Sequence, residues 1–266
     1  MTSLLRGSAF ITGAASGIGK ATATSFATHG IHQLAIADIN LPLAQEAARS
    51  LESRFPNLQV LPIHLDVSSE ESIAAAIAQT KAAFTRIDYA INNAGISGSP
   101  TLSAEHDASE WRKTLDVNLT GVWMCSRAQI GAMLSQEKRP DDSERHNRGV
   151  IVNVASMYGL LATSLNTPAV AYTASKHGVV GLTRADAIAY AEKGIRINAV
   201  CPGYVATPLL EGRMESGVVQ REIAKIPVGR MASPEEIGDQ IVVLASTLCS
   251  YVYGAAVVAD GGFTIQ

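Results

Sequence analysis

The chain has 266 residues, 47% of them hydrophobic, enough to build one sizeable core as a single domain over 1–266. Its net charge of −3 is scattered, with no basic face or polybasic run, which excludes a nucleic-acid or anionic-membrane surface as the organising feature. The opening Met1-Thr2-Ser3-Leu4-Leu5-Arg6-Gly7 is too short and too weakly apolar for a secretory leader, and no apolar run reaches the ~18 residues of a membrane span. Cys125, Cys201 and Cys249 are far apart and lack metal-ligand spacing, so they read as reduced thiols, no metal is expected, and a cytoplasmic location follows.

Short apolar runs alternate with helical patterns along the chain. Strands are expected at Ser8–Thr12, 34–38, 60–65, 87–91, 149–155, 195–200 and Ala256–Ala259. Helices are expected after the first strand through Gly30, then at Leu41–Arg54, 68–84, 108–133, 171–192 and 234–248. Ser68 is the expected N-cap of its helix, with Glu71 at the capping-box position. Strands this apolar, each followed by a crossover helix, predict an α/β fold: a Rossmann-like doubly wound parallel sheet with helices on both faces. The polar stretch 135–148, which contains Pro140, reads as a surface loop. In such a sheet ligands bind beyond the carboxyl ends of the strands, so those ends are where chemistry is sought.

The first strand ends in Thr12-Gly13-Ala14-Ala15-Ser16-Gly17-Ile18-Gly19. Gly13 permits a sharp turn, Gly17 lets a pyrophosphate approach the backbone, and Gly19 lets the helix pack close to the sheet. The free N–H groups of the helix start then face the phosphates. Asp38 ends the second strand, where a carboxylate accepts hydrogen bonds from both ribose hydroxyls and repels a 2′-phosphate. Ser16 and Ile39, the positions from which a cation would clasp that phosphate, are uncharged, so NAD is favoured over NADP. Asp66-Val67 and Asn92-Asn93-Ala94-Gly95 close the third and fourth strands. Asp66 is placed to bond an adenine amine beside Val67, and small residues at Ala94 and Gly95 let backbone approach a cofactor.

Tyr172 and Lys176 stand at i and i+4 on one helical face. A phenol ordinarily titrates near about 10, and an ammonium beside it favours the phenolate, which makes it a usable acid and base near neutrality. Ser156 follows the fifth strand, where its hydroxyl can bond a substrate oxygen as charge develops. Asn118, inside the long helix, suggests a kink or an ordered water.

These motifs, in this order and together with Cys201-Pro202-Gly203, resemble the short-chain dehydrogenase/reductase family over essentially the whole chain. The resemblance implies that Tyr172 is the general acid/base, that Lys176 lowers its pKa and holds the nicotinamide ribose, that Ser156 orients the substrate oxygen, and that Asn118 supports a proton-relay water. It implies that Pro202, Gly203, Val205 and Thr207 line the nicotinamide, with Thr207 at the carboxamide. Tyr253-Gly254 and Asp260-Gly261-Gly262 also resemble the family and imply a homotetramer, or a homodimer, built through the last helices and strand.

Ser156 and Tyr172 lie sixteen positions apart, longer than the family pattern, and the extra residues fall in 160–168, where Ser164 is a rival for the serine role. The segment 208–227 is expected to close a substrate pocket as a lid. Leu209, Leu210, Met214, Val218 and Val219 make it partly apolar; Glu211, Arg213 and Arg221 give it charge, and Met157 and Tyr204 would add to the wall. The partner is a small-molecule carbonyl or alcohol, and the expected activity is NAD(H)-dependent interconversion of a secondary alcohol and a ketone. An NADP(H)-dependent ketoreductase and a catalytically silent nucleotide-binding sensor or scaffold remain alternatives.

Overall fold

The computed structural model describes residues 3–139, 148–165, 167–210 and 217–266. Among these residues, β1 (Ser8–Thr12), β2 (Gln33–Asp38), β3 (Gln59–His64), β4 (Tyr89–Asn92), β5 (Gly149–Val154), β6 (Ile195–Pro202) and β7 (Ala256–Ala259) form one seven-stranded sheet in the order 3-2-1-4-5-6-7. Every pairing is parallel. The strand order reverses between β1 and β4, and the crevice beyond their carboxyl ends is the natural ligand position.

The helices are α1 (Gly17–Thr28), α2 (Leu41–Arg54), α3 (Glu70–Phe84), α4 (Ala108–Leu115), α5 (Gly121–Leu134), α6 (Val170–Tyr190), α7 (Val218–Ile223) and α8 (Pro234–Ala245). Strand alternation sends side chains to both covered faces. Ala9, Ile11, Tyr89, Ile91, Val150 and Val152 meet Phe26 of α1, Leu51 of α2 and Ile241 of α8 on one face. Phe10, Ala90 and Ile151 meet Ile73 of α3, Met133 of α5 and Ala187 of α6 on the other.

The expected strands and helices are present, with ends displaced by a few residues. Three differences have physical causes. The Ser68 hydroxyl is taken by the Asp66 carboxylate at 2.7 Å, so Ser69 caps α3 instead, accepting from the Ser72 N–H at 3.2 Å. The expected helix 108–133 is interrupted by a π-helical turn at Asp116–Thr120. The last helix stops at Ala245, short of 248, because Arg196 draws off its final carbonyls. This arginine, fully buried in β6, donates to the carbonyls of Leu244 (2.6 Å), Ala245 (2.8 Å) and Ser246 (3.0 Å).

Two polar clusters tie the sheet to its surroundings. Buried Asn92 donates to Asn153 (2.9 Å) and accepts from Gln129 (2.7 Å), and Asn153 donates to Thr183 (3.0 Å), linking β4, β5, α5 and α6. Asp88 pairs with Arg86 (2.7 Å) and Arg139 (2.6 Å). Burial pushes the Asp88 carboxyl up, but Arg139, the Ser8 N–H and Arg86 outweigh it and leave the group below its ordinary range. The described start of the expected surface loop 135–148 is tied to the sheet at two residues. Gln136 is buried against the Ile87 backbone (2.7 and 3.1 Å), and Arg139 is pinned to Asp88; 140–147 lie outside the described residues.

Candidate active site

Gly13 and Gly17 have φ of +63° and +51°, the left-handed region in which a side chain is strained. A Cβ on Gly13 would stand 2.8 Å from Ala94 Cα, and one on Gly19 would stand 2.1 Å from the Gly13 carbonyl oxygen. The turn is thus packed tightly between β4 and the start of α1. Asn93 secures it, donating to the carbonyls of Thr12 and Gly13 at 3.0 Å each. Side chains cap α2, α3, α4 and α8, through Asn40, Ser69, Asp107 and Ser233. At α1 the Ser16 side chain makes no capping bond and the first turn carries no acid, so its N–H groups face the crevice with the positive end of the helix dipole. That arrangement fits a pyrophosphate.

A cleft of about 760 Å³ runs along the strand ends. It is lined at one end by Gly13, Ser16, Gly17, Ile18, Asp38, Ile39, Asp66 and Val67, and further along by Asn93, Ala94 and Gly95. Asp38 accepts from the backbone N–H groups of Ala15 and Asn40, both at 3.0 Å, which fixes its carboxylate on the cleft wall. Two bonds from Ser68 hold the Asp66 carboxyl below its ordinary pKa. Pro202, Gly203, Val205 and Thr207 also line the cleft, with Thr207 against Gly17.

Ser156, Tyr172 and Lys176 line the same cleft. Tyr172 and Lys176 stand in the first two turns of α6, with the Lys176 ammonium 5.6 Å from the Tyr172 ring centroid. Lys176 Nζ donates to the Val154 carbonyl at 2.9 Å, and burial lowers its pKa to about 8. Ser156 Oγ accepts from the Tyr158 N–H at 3.1 Å, which orients the hydroxyl. Its rival Ser164 is absent from the cleft wall and bonds Thr167 (3.0 Å) and Glu222 (2.9 Å) instead.

Asn118 sits one layer behind, in the π turn. Its amide accepts from the Ile96 N–H and donates to the Ile96 carbonyl, both at 2.8 Å. A Cβ on Gly95 would lie 3.2 Å from Asn118 Oδ1 and 3.7 Å from Lys176 Nζ, so the asparagine and the lysine stand close together behind Gly95. Gly19 and Asn118 support the cleft without lining it; the remaining residues expected to bind or react do line it.

The outer wall contains Ile96, Pro100, Pro168, Leu209, Leu210 and Val219, with the expected Met157 and Tyr204. The sequence did not single out Tyr158, whose hydroxyl meets that of Tyr204 at 2.7 Å, or Thr167; adjacency to Ser156 was the available signal for the former. Of the expected lid 208–227, residues 211–216, including Glu211, Arg213 and Met214, lie outside the described residues, as does the Val218 side chain; Arg221 is exposed. Cys125 and Cys201 are buried, their thiols pushed up to about 12 and about 11 by desolvation. Among the described residues no helix is long and apolar enough to cross a membrane.

A family model described as Enoyl-(Acyl carrier protein) reductase matches residues 13–264. The chain is 38% identical over 270 residues to Short-chain dehydrogenase fogB of Aspergillus ruber, covering 98% of each. It is 38% identical over 256 residues to Cis-4-hydroxycyclohexanecarboxylate dehydrogenase of Sinomonas cyclohexanicum, covering 96% of each. The crystal structure of levodione reductase is similar with a TM-score of 0.89 and 32% identity, covering 97% of each chain.

Proposed function

The chain belongs to the short-chain dehydrogenase/reductase family and is an oxidoreductase acting on CH–OH and C=O groups; from that premise we propose that it interconverts an uncharged, ring-sized secondary alcohol and its ketone with NAD(H). The observation that carries this reading is one cleft bordered at one end by Asp38 and at the other by Ser156, Tyr172 and Lys176.

The α1 N-terminus with Gly13, Ser16, Gly17, Ile18 and Gly19 would hold the pyrophosphate. Asp38, beside Ile39, would take the ribose hydroxyls, and Asp66 and Val67 the adenine. Asn93, Ala94 and Gly95 would border the middle of the cofactor, and Pro202, Gly203, Val205 and Thr207 the nicotinamide. The choice of NAD is supported by charge: among the described lining residues the one cation is Lys176, and a 2′-phosphate beside Asp38 would meet a carboxylate. When bound, the nicotinamide supplies the hydride acceptor for oxidation and the donor for reduction.

In oxidation Tyr172 takes the alcohol proton, and in reduction it returns one to the carbonyl oxygen. Lys176 supports the phenolate electrostatically and has donors left for the nicotinamide ribose beyond its bond to Val154. Ser156 already accepts from the Tyr158 N–H, so its own proton is available to the substrate oxygen. Asn118 fastens the loop at Ile96 behind Lys176, the setting in which a relay water would connect the lysine to solvent.

The substrate class rests on the outer wall. Its described residues are apolar or hydroxyl-bearing, and the charged lining residues are confined to Asp38, Asp66 and Lys176. The Sinomonas relative is named for a ring alcohol carrying a carboxylate; the wall described here offers no second cation for one. A homo-oligomer is part of the same proposal, supported by the position of β7 at the sheet edge and by exposed Leu248, Tyr251 and Ile265 near it in sequence.

The test is the rate of reduced-coenzyme formation with cyclohexanol and with 4-hydroxycyclohexanecarboxylate, NADH from NAD and then NADPH from NADP. The expected result is faster turnover of the neutral alcohol, with NAD preferred. Turnover of neither ring alcohol, or a clear preference for the carboxylate, would contradict the proposal.

A further inference from the structure

Glu222 is a carboxylate in a place built for an apolar side chain. With Val219 and Ile223 it shares the inward face of α7, and that face packs on Met157, Tyr204 and Phe263. Glu222 is only 1% exposed there. A buried carboxylate persists only where hydrogen bonds and an opposite charge replace its water. Ser164 Oγ supplies one bond at 2.9 Å, and Lys225 supplies an ion pair at 2.8 Å.

The Ser164 contact crosses between two segments. It joins α7 to the extra residues between Ser156 and Tyr172, which the catalytic proposal leaves without a role. A carboxylate only accepts, so Ser164 spends its proton on Glu222 and must accept from Thr167, 3.0 Å away. Thr167 lines the cleft and interacts with the Tyr158 hydroxyl, which in turn meets Tyr204. Val219 of α7 lines the cleft from the other segment. The two segments that form this part of the wall are thereby fastened to each other by a polar connection between Glu222 and Ser164.

We propose that Glu222 is a positioning residue that clasps α7 to the 160–168 loop through Ser164, so that the two segments form one substrate wall and set the apparent affinity for the alcohol. The kinetic part of this inference rests on the ring-alcohol reading above; the clasp itself does not.

The experiment compares the wild type with Ser164→Ala, Glu222→Gln and Glu222→Leu. It measures steady-state oxidation of cyclohexanol with NAD, NADH binding by fluorescence, and amide hydrogen exchange of 219–226 without substrate. Ser164→Ala and Glu222→Leu are expected to raise KM about tenfold, the order set by one hydrogen bond to a charged group. They should leave kcat within about threefold and NADH affinity unchanged. Exchange in 219–226 should accelerate in both, and Glu222→Gln, which keeps a neutral acceptor for Ser164, should recover part of the KM loss and slow exchange relative to Glu222→Leu. A merely structural role would lower melting temperature while leaving KM and local exchange alone, and that result would overturn the proposal. If the wild type oxidises no ring alcohol, the functional reading fails, and exchange in Ser164→Ala still decides the clasp: unchanged protection there overturns it.

Discussion

Asp38 commits its carboxylate to two backbone N–H groups while bordering the cleft. That double anchoring fixes a negative charge on the cleft wall, where the proposed function puts the choice of coenzyme. Asp38→Ala is expected to weaken NADH binding and shift the NADH/NADPH affinity ratio toward NADPH by about tenfold or more, read by nicotinamide fluorescence; an unmoved ratio would remove Asp38 from that role. Lys176 makes a pH prediction. Burial lowers its pKa from 10.5 to about 8, so between those values the unfolded chain binds the proton more tightly. Stability from this residue therefore rises with pH across that window, and below about 8 the full burial penalty is present. The unfolding free energy of the wild type minus that of Lys176→Met should grow from pH 8 to 10.5 by up to about 1.4 kcal/mol per unit, measured by urea titration. A flat or falling difference would contradict the burial argument. Residues whose placement is set by local spacing were legible at this scale. Tyr172 and Lys176 share a face because they are four apart, and Asp38 ends a strand. Glu222 was not, because its partner Ser164 lies 58 positions away and nothing local marks a polar residue on an inward face as satisfied.

At the scale of elements, helix and strand patterns were readable because buried strands and amphipathic helices have distinct periods. Their ends were less so. The sequence favours Ser68 through Glu71, but Ser69 caps α3 because Asp66 occupies the Ser68 hydroxyl. The π turn around Asn118 adds a residue to a helical turn without altering composition; the polar residue in mid-helix was its only trace. Arg196 sits in a strand that apart from Asn198 otherwise reads as apolar, and its three carbonyl partners, at the end of α8 and just past it, come about fifty residues later. Arg196→Met would strip its donors from the buried Leu244 and Ala245 carbonyls, while Ser246 keeps the Cys249 N–H at 3.3 Å. A loss of about 3–5 kcal/mol is expected in urea unfolding, with the α8 C-terminus less protected from exchange. A loss under about 1 kcal/mol would show that the cap is dispensable.

At the scale of the whole molecule, the parallel sheet brings residues from β1, β2, β4, β5 and β6 to one edge, and reversal of strand order opens the crevice between β1 and β4. The ordered motifs made that assembly legible in sequence, because most lie just past a strand and Tyr172 and Lys176 fall in the first turns of α6. The outer wall was less legible, since it is made by loops whose paths depend on contacts distant in sequence. On the proposed function this cleft performs hydride transfer with Tyr172 moving the proton. That role is tested most directly by the rate of NADH formation from cyclohexanol in Tyr172→Phe, at saturating NAD, against the wild type. Loss of the phenol hydroxyl should lower the rate about a thousandfold with NADH affinity retained; a rate within about threefold of the wild type would contradict the account.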